Sequence, residues 1–184
     1  IDKIKALTNE FYLNIYPPSL SNESVVKLLK ELIALCNEKD IILNLELTEY
    51  AITTQKDIIE ELSHNKFYLA FDDFGTGYTN YELVGELVDI GIAKTLKVDG
   101  YIVRKLLESD VYASIVEAIT IFSKRINLRI IYEFVDNENI IKALKDIAES
   151  IRFPKDRLFF QGFYLHKPNS LEEEYLASQN LKTK

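Results

Sequence analysis

The stretch Phe71-Asp72-Asp73-Phe74-Gly75-Thr76-Gly77 reads as the end of a buried strand that stops on two adjacent carboxylates and turns into a glycine-spaced loop. The run that leads into it, Phe67–Asp72, is short, apolar and rich in β-formers. Such a run fits a strand covered on both faces. A glycine pair can cradle phosphate, but here it follows two acids and the helix comes later, which does not match a dinucleotide fingerprint. A flexible loop at an active site is the better reading, because glycine permits unusual backbone angles.

The same grammar repeats outward in both directions. Strands are expected at Phe11–Tyr16, Ile41–Leu47, Phe67–Asp72, Lys94–Val98, Leu128–Tyr132 and Leu158–Gln161. Helices are expected at Ser21–Glu38, Thr53–His64, Tyr78–Asp89, Val111–Arg125, Asn139–Glu149 and Leu171–Ser178. In the first helix the apolar spacing puts Val25, Leu28, Leu29, Leu32 and Leu35 on the inner face. Strands that alternate with helices imply parallel pairing and right-handed crossovers. An open doubly wound sheet and a (β/α) barrel both fit, although a closed barrel needs two more strands than these six.

Composition narrows the class. A chain of 184 residues that is 47% hydrophobic can bury a real core in a single domain, 1–184. A formal net charge of -7 argues against a face that grips long nucleic acid. Cys36 is the one cysteine, so neither an intramolecular disulfide nor a cysteine-built zinc cluster can form, and a cytoplasmic setting is expected. No run is apolar and long enough for a membrane helix, and no signal peptide opens the chain. The chain begins at Ile1 and contains no Met, so the natural start is expected to lie upstream.

Polar residues discriminate better than strand counts. Asn14 lies in the first strand, Glu46 and Glu49 at the end of the second, and Asp72 and Asp73 at the end of the third. Lys97 and Asp99 end the fourth, Glu133 and Asp136 the fifth, and Gln161 the sixth. Each has an ordinary explanation as a cap, an Asx-turn or a solvated group. Together they place a polar group at the same end of every strand, and in a barrel those ends converge on one mouth. Facing carboxylates repel unless a cation joins them, and an oxygen-rich set suits Mg²⁺ or Mn²⁺. Two such ions can clamp the attacking and leaving oxygens of a phosphoester.

LELTE (45–49), DDFGTGYT (72–79), LKVDG (96–100), YEFVD (132–136) and QGFYLHKP (161–168) resemble, in order and spacing, the EAL family of cyclic di-GMP phosphodiesterases. The resemblance runs from about Asn14 to Pro168. It implies a TIM-like (β/α) barrel, incomplete at its N-terminus, that hydrolyses cyclic di-GMP to linear pGpG with Mg²⁺ or Mn²⁺. It also implies roles: Asn14, Glu46, Asp72 and Asp73 as metal ligands, with Asp73 orienting water, and Glu133 as a metal ligand or a catalytic base. Lys97 would stabilise the attacking water and Gln161 the water–metal network. Glu49 would anchor the loop Phe74–Thr79, with Gly75, Thr76 and Gly77, which the family links to dimerisation and regulation. A homodimer and an upstream regulatory or GGDEF domain are implied partners.

The departures are as informative. The Glu-Ala-Leu segment and its following arginine are absent from these residues. Where the family has AEGVE, this chain has YEFVD: Tyr132 replaces a small residue, Phe134 a glycine, and Asp136 a glutamate. Two bulky aromatics beside Glu133 are expected to reshape the cleft. The alternative reading is therefore a degenerate domain that binds cyclic di-GMP or a protein partner without catalysis and holds no metal.

Overall fold

The computed structural model describes residues 1–76 and 80–182, with side chains to residue 179. A short helix α1 (Asp2–Leu7) leads into strand β1 (Glu10–Asn14), helix α2 (Glu23–Glu38) and strand β2 (Ile42–Thr48). Next come α3 (Glu49–Thr54), α4 (Lys56–Ser63), β3 (Tyr68–Phe74), α5 (Tyr81–Asp89) and β4 (Ala93–Val98). The order continues with α6 (Gly100–Lys105), α7 (Asp110–Arg125), β5 (Arg129–Tyr132), α8 (Glu138–Ser150), β6 (Leu158–Phe160) and α9 (Leu171–Lys182). All six strands pair in parallel, in sequence order.

The sheet curls rather than spreading flat. Arg129 on β5 forms an ion pair with Glu10 on β1, four strands away. The Tyr12 hydroxyl on β1 lies 3.4 Å from Thr95 Oγ1 on β4. Contacts across the concave face require curvature, so the architecture is an incomplete (β/α) barrel. At the open side, α1 packs against α9 and Lys3 pairs with Glu172.

Alternation decides which residues line the interior. On β2, Leu43, Leu45 and Leu47 are buried at 1–2% exposure and point to the helical layer, while Asn44 and Glu46 point inward to Glu10 and Lys97. On β4, Leu96 and Val98 are fully buried on the outer side, and Thr95 and Lys97 face in. Tyr132 is likewise turned outward, where its hydroxyl meets Thr120 of α7. The expectation that Tyr132 reshapes the cleft is thus corrected: only Phe134 projects there.

Helix starts follow their side-chain caps. Asn22, Thr48, Asn80, Asp99, Ser109 and Asn137 each accept a bond from a backbone N–H in the first turn. The helix expected over Thr53–His64 is instead the end of one helix and the whole of a second, interrupted at Gln55. That expected from Tyr78 begins at Tyr81; positions 78 and 79 lie outside the described residues. Helices α1 and α6 were not expected, since six residues give too few turns for a periodic apolar stripe. In α2 the buried face is Leu29, Ile33 and Cys36, whereas Leu28 is 63% exposed. Several apolar stripes compete on that helix, and the packing against β2 selects one. Burial raises the Cys36 thiol above its ordinary value, as for an inert core group. Among the described residues no helix is long and apolar enough to cross a membrane.

Candidate active site

Lys97 is the centre of the mouth. It sits at the penultimate position of β4, and its side chain is only 4% exposed. Its Nζ lies 2.9 Å from Glu46 Oε2, 2.7 Å from Asp72 Oδ1 and 2.8 Å from Glu133 Oε1. These carboxylates come from β2, from β3 and from the residue just after β5. Burial opposes the charged ammonium, but hydrogen bonds to Asp72, Glu133 and Glu46 outweigh it and hold the Lys97 pKa above its ordinary value. The lysine is therefore a fixed positive charge at any physiological pH.

The acids outnumber it. Asp72, Asp73 and Glu133 bring carboxylate oxygens within 4.8 Å of one another. Burial raises the Glu133 pKa against the pull of Lys97, and the charges of Asp72 and Asp73 add to the rise. Asp73 is raised by burial first, then by the charges of Asp72 and Asp99. Its φ of 54° places it in the left-handed region, as the strand breaks into the loop. A surplus of hard oxygen donors around one ammonium is the chemistry that fits a divalent cation.

The remaining expected residues are distributed around this centre. Asn14 stands at the exposed end of β1 as the register partner of Glu46. Gln161 follows β6 and lines an open cleft of about 480 Å³ together with Glu133, Phe134 and Asp136. Asp136 turns toward Arg104, with its Oδ2 3.3 Å from Nε. Glu49 is not at the end of a strand but opens α3. It is buried, and its Oε2 accepts a bond from the Asn80 N–H at 3.3 Å, across the loop from Asp73. Burial pushes its pKa up to about 6, only partly offset by that bond. Gly75 turns the chain with φ 97°, and the Thr76 hydroxyl donates to the Asp73 carbonyl. Gly77 lies outside the described residues.

One residue of this region was not singled out by sequence, and another has a role the sequence did not show. Arg104 is carried on α6, whose shortness hid it. Asp99 was noticed only as a strand-end acid; it caps α6 through the Tyr101 N–H at 2.7 Å and also faces Asp73.

The family model for the EAL domain matches residues 2–168. With the curled parallel sheet and this strand-end constellation, the match makes the chain a member of the EAL domain family. The cyclic di-GMP phosphodiesterase PdeA of Borreliella burgdorferi is 32% identical over 171 residues, covering 88% of this chain and 23% of the relative. The bifunctional diguanylate cyclase/cyclic di-GMP phosphodiesterase MucR of Pseudomonas aeruginosa is 34% identical, covering 70% and 18%. The chain thus spans about a quarter or less of the length of these curated relatives. Among solved structures, the PaMucR phosphodiesterase in its c-di-GMP complex superposes with a TM-score of 0.69 at 25% identity, covering 88% of this chain and 62% of the other. The FimX EAL domain of P. aeruginosa bound to c-di-GMP shares the fold, with a TM-score of 0.71 at 16% identity over 92% of this chain and 67% of the other.

Proposed function

We propose that this domain is a divalent-metal-dependent phosphodiesterase that opens cyclic di-GMP to linear pGpG. The observation that carries this reading is the meeting of Lys97 with Glu46, Asp72 and Glu133, with Asp73 alongside, at the mouth of the barrel. Glu46, Asp72, Asp73 and Glu133 would hold the metal, Mg²⁺ or Mn²⁺, with Asn14 at the rim beside Glu46. When bound, the cation supplies Lewis-acid stabilisation of the charge that develops on the phosphoryl oxygens.

The chain's own residues do the rest. Lys97 remains charged and donates, so it can hold an attacking water and offset charge near phosphorus. Asp73 is exposed at the rim, where it can accept a hydrogen bond from that water and fix its orientation. Gln161 and Asp136 face the same cleft and offer polar contacts to the sugar–phosphate ring. Glu49 ties the far end of the loop after Asp73 through Asn80, so loop placement and site geometry are coupled. The proposed partners are cyclic di-GMP, a second copy of the chain, and an upstream regulatory or GGDEF domain. A cytoplasmic location fits this substrate.

Incubation of the chain with cyclic di-GMP and Mn²⁺, followed by chromatography, is expected to show pGpG. A second reading, a receptor that holds the dinucleotide without cutting it, is supported by Phe134, whose ring is 49% exposed beside Glu133. Metal-independent binding with no product would establish the receptor and rule out the enzyme.

A further inference from the structure

Phe134 is an anomaly on three counts. Its φ is 50°, a conformation that a bulky residue adopts only where the surroundings impose it. Its ring is 49% exposed, so core burial does not explain the strain. Two neighbours nevertheless pack against it. The Arg104 guanidinium lies 4.5 Å from the ring centroid, and Asp136 ties that guanidinium down at 3.3 Å. On another side the ring packs onto Gly100, where any Cβ would overlap it.

We propose that Phe134 is a stacking platform for a purine base of the nucleotide ligand, with Arg104 as its fixed support. The inference rests on the nucleotide reading above. Strain at a half-exposed aromatic that borders a cleft points to a ligand contact rather than to core packing. The platform borders the cleft that Glu133 and Gln161 also line, so a base lying on it leaves its phosphates beside the acids and Lys97. Aromatic faces bind bases by stacking, and a ring already packed against its neighbours loses little freedom when it does so. Phe163, 67% exposed, lines the same cleft and leaves it open to a flat ligand.

The chain contains no tryptophan, so Phe134→Trp places a single tryptophan, excited apart from the tyrosines, at the proposed contact. Titration with cyclic di-GMP is expected to quench it, while ribose 5-phosphate, which has no base, leaves it unchanged. Calorimetry is expected to show binding about tenfold weaker for Phe134→Leu and near-normal binding for Phe134→Tyr. In turnover, the leucine variant is expected to raise KM and leave kcat nearly unaltered. Wild-type affinity in Phe134→Leu, or tighter binding in Phe134→Gly, overturns the proposal and leaves the phosphodiesterase reading standing. A wild-type chain that binds no cyclic di-GMP, with or without Mn²⁺, removes both.

Discussion

Among the described residues, two cations of the barrel interior, half-buried Arg129 and buried Lys97, live in opposite circumstances. At the lower end, Arg129 pairs with Glu10, Asn44 donates to the same carboxylate at 2.9 Å, and Tyr12 lies 3.5 Å from the Arg129 guanidinium. One charge meets one charge, and the network ties β1, β2 and β5 together. At the upper end, Lys97 faces Glu46, Asp72 and Glu133, with Asp73 within reach. One ammonium cannot neutralise four acids. The balanced cluster is complete without any ligand, and the unbalanced one is where the proposed function would seat a cation. The lower end of such barrels serves stability and the upper end chemistry, and here charge balance separates the two.

The contrast can be broken by substitution. Lys97→Ala leaves several buried carboxylates without their counter-charge and should cost about 3–5 kcal/mol near neutral pH by denaturant unfolding. Without the lysine the carboxylates bind protons more readily in the folded state than in the unfolded chain. The loss should therefore shrink as pH falls toward 5. A loss independent of pH would contradict the charge argument.

Asp72→Asn relieves the acidic surplus, so it should leave stability unchanged or improved. It should lower cyclic di-GMP hydrolysis on the order of a hundredfold or more and weaken Mn²⁺ binding in calorimetry. Unaltered metal affinity would mean that the upper cluster is structural like the lower one. Arg129→Met should do the reverse: a loss of about 1–3 kcal/mol from the stranded Glu10, with Mn²⁺ affinity intact. Adding Glu10→Gln should recover part of that loss.

The smallest effect concerns Glu49. Its pKa is raised from 4.5 to about 6, so the folded state holds a proton that the unfolded chain has released. That contribution is full below pH 4.5 and is lost as pH rises through about 6, at most about 2 kcal/mol. The thermal midpoint of Glu49→Gln should vary less between pH 4.5 and 6.5 than that of the wild type. An identical slope would place the titration elsewhere.

Much of this was legible in the residues. The alternation of apolar runs with helical patterns located all six strands, and Glu46 of LELTE and Asp72 of FDDFGTG do meet at one end of the sheet, around Lys97. What escaped was three-dimensional. Glu49 was expected at the end of its strand but sits one residue past it and opens α3. Leu28 and Leu29 are equally apolar, yet only Leu29 meets the sheet. Tyr132 and Phe134 are both aromatic and flank Glu133, and strand alternation would put both on one face; but β5 ends at Tyr132 and the φ of 50° at Phe134 breaks the alternation, leaving the first in the core and the second at the cleft.

The sequence by itself determined the period of every strand, the run of most helices and the presence of acids near strand ends. These are local properties, set by neighbours a few residues apart. Only the tertiary structure decided that Lys97 would be shared by three carboxylates from different strands, and that Glu10 would find Arg129, 119 residues away. It likewise decided that Arg104 would support Phe134. Those pairings depend on sheet curvature and strand register, which emerge only when all six strands pack at once.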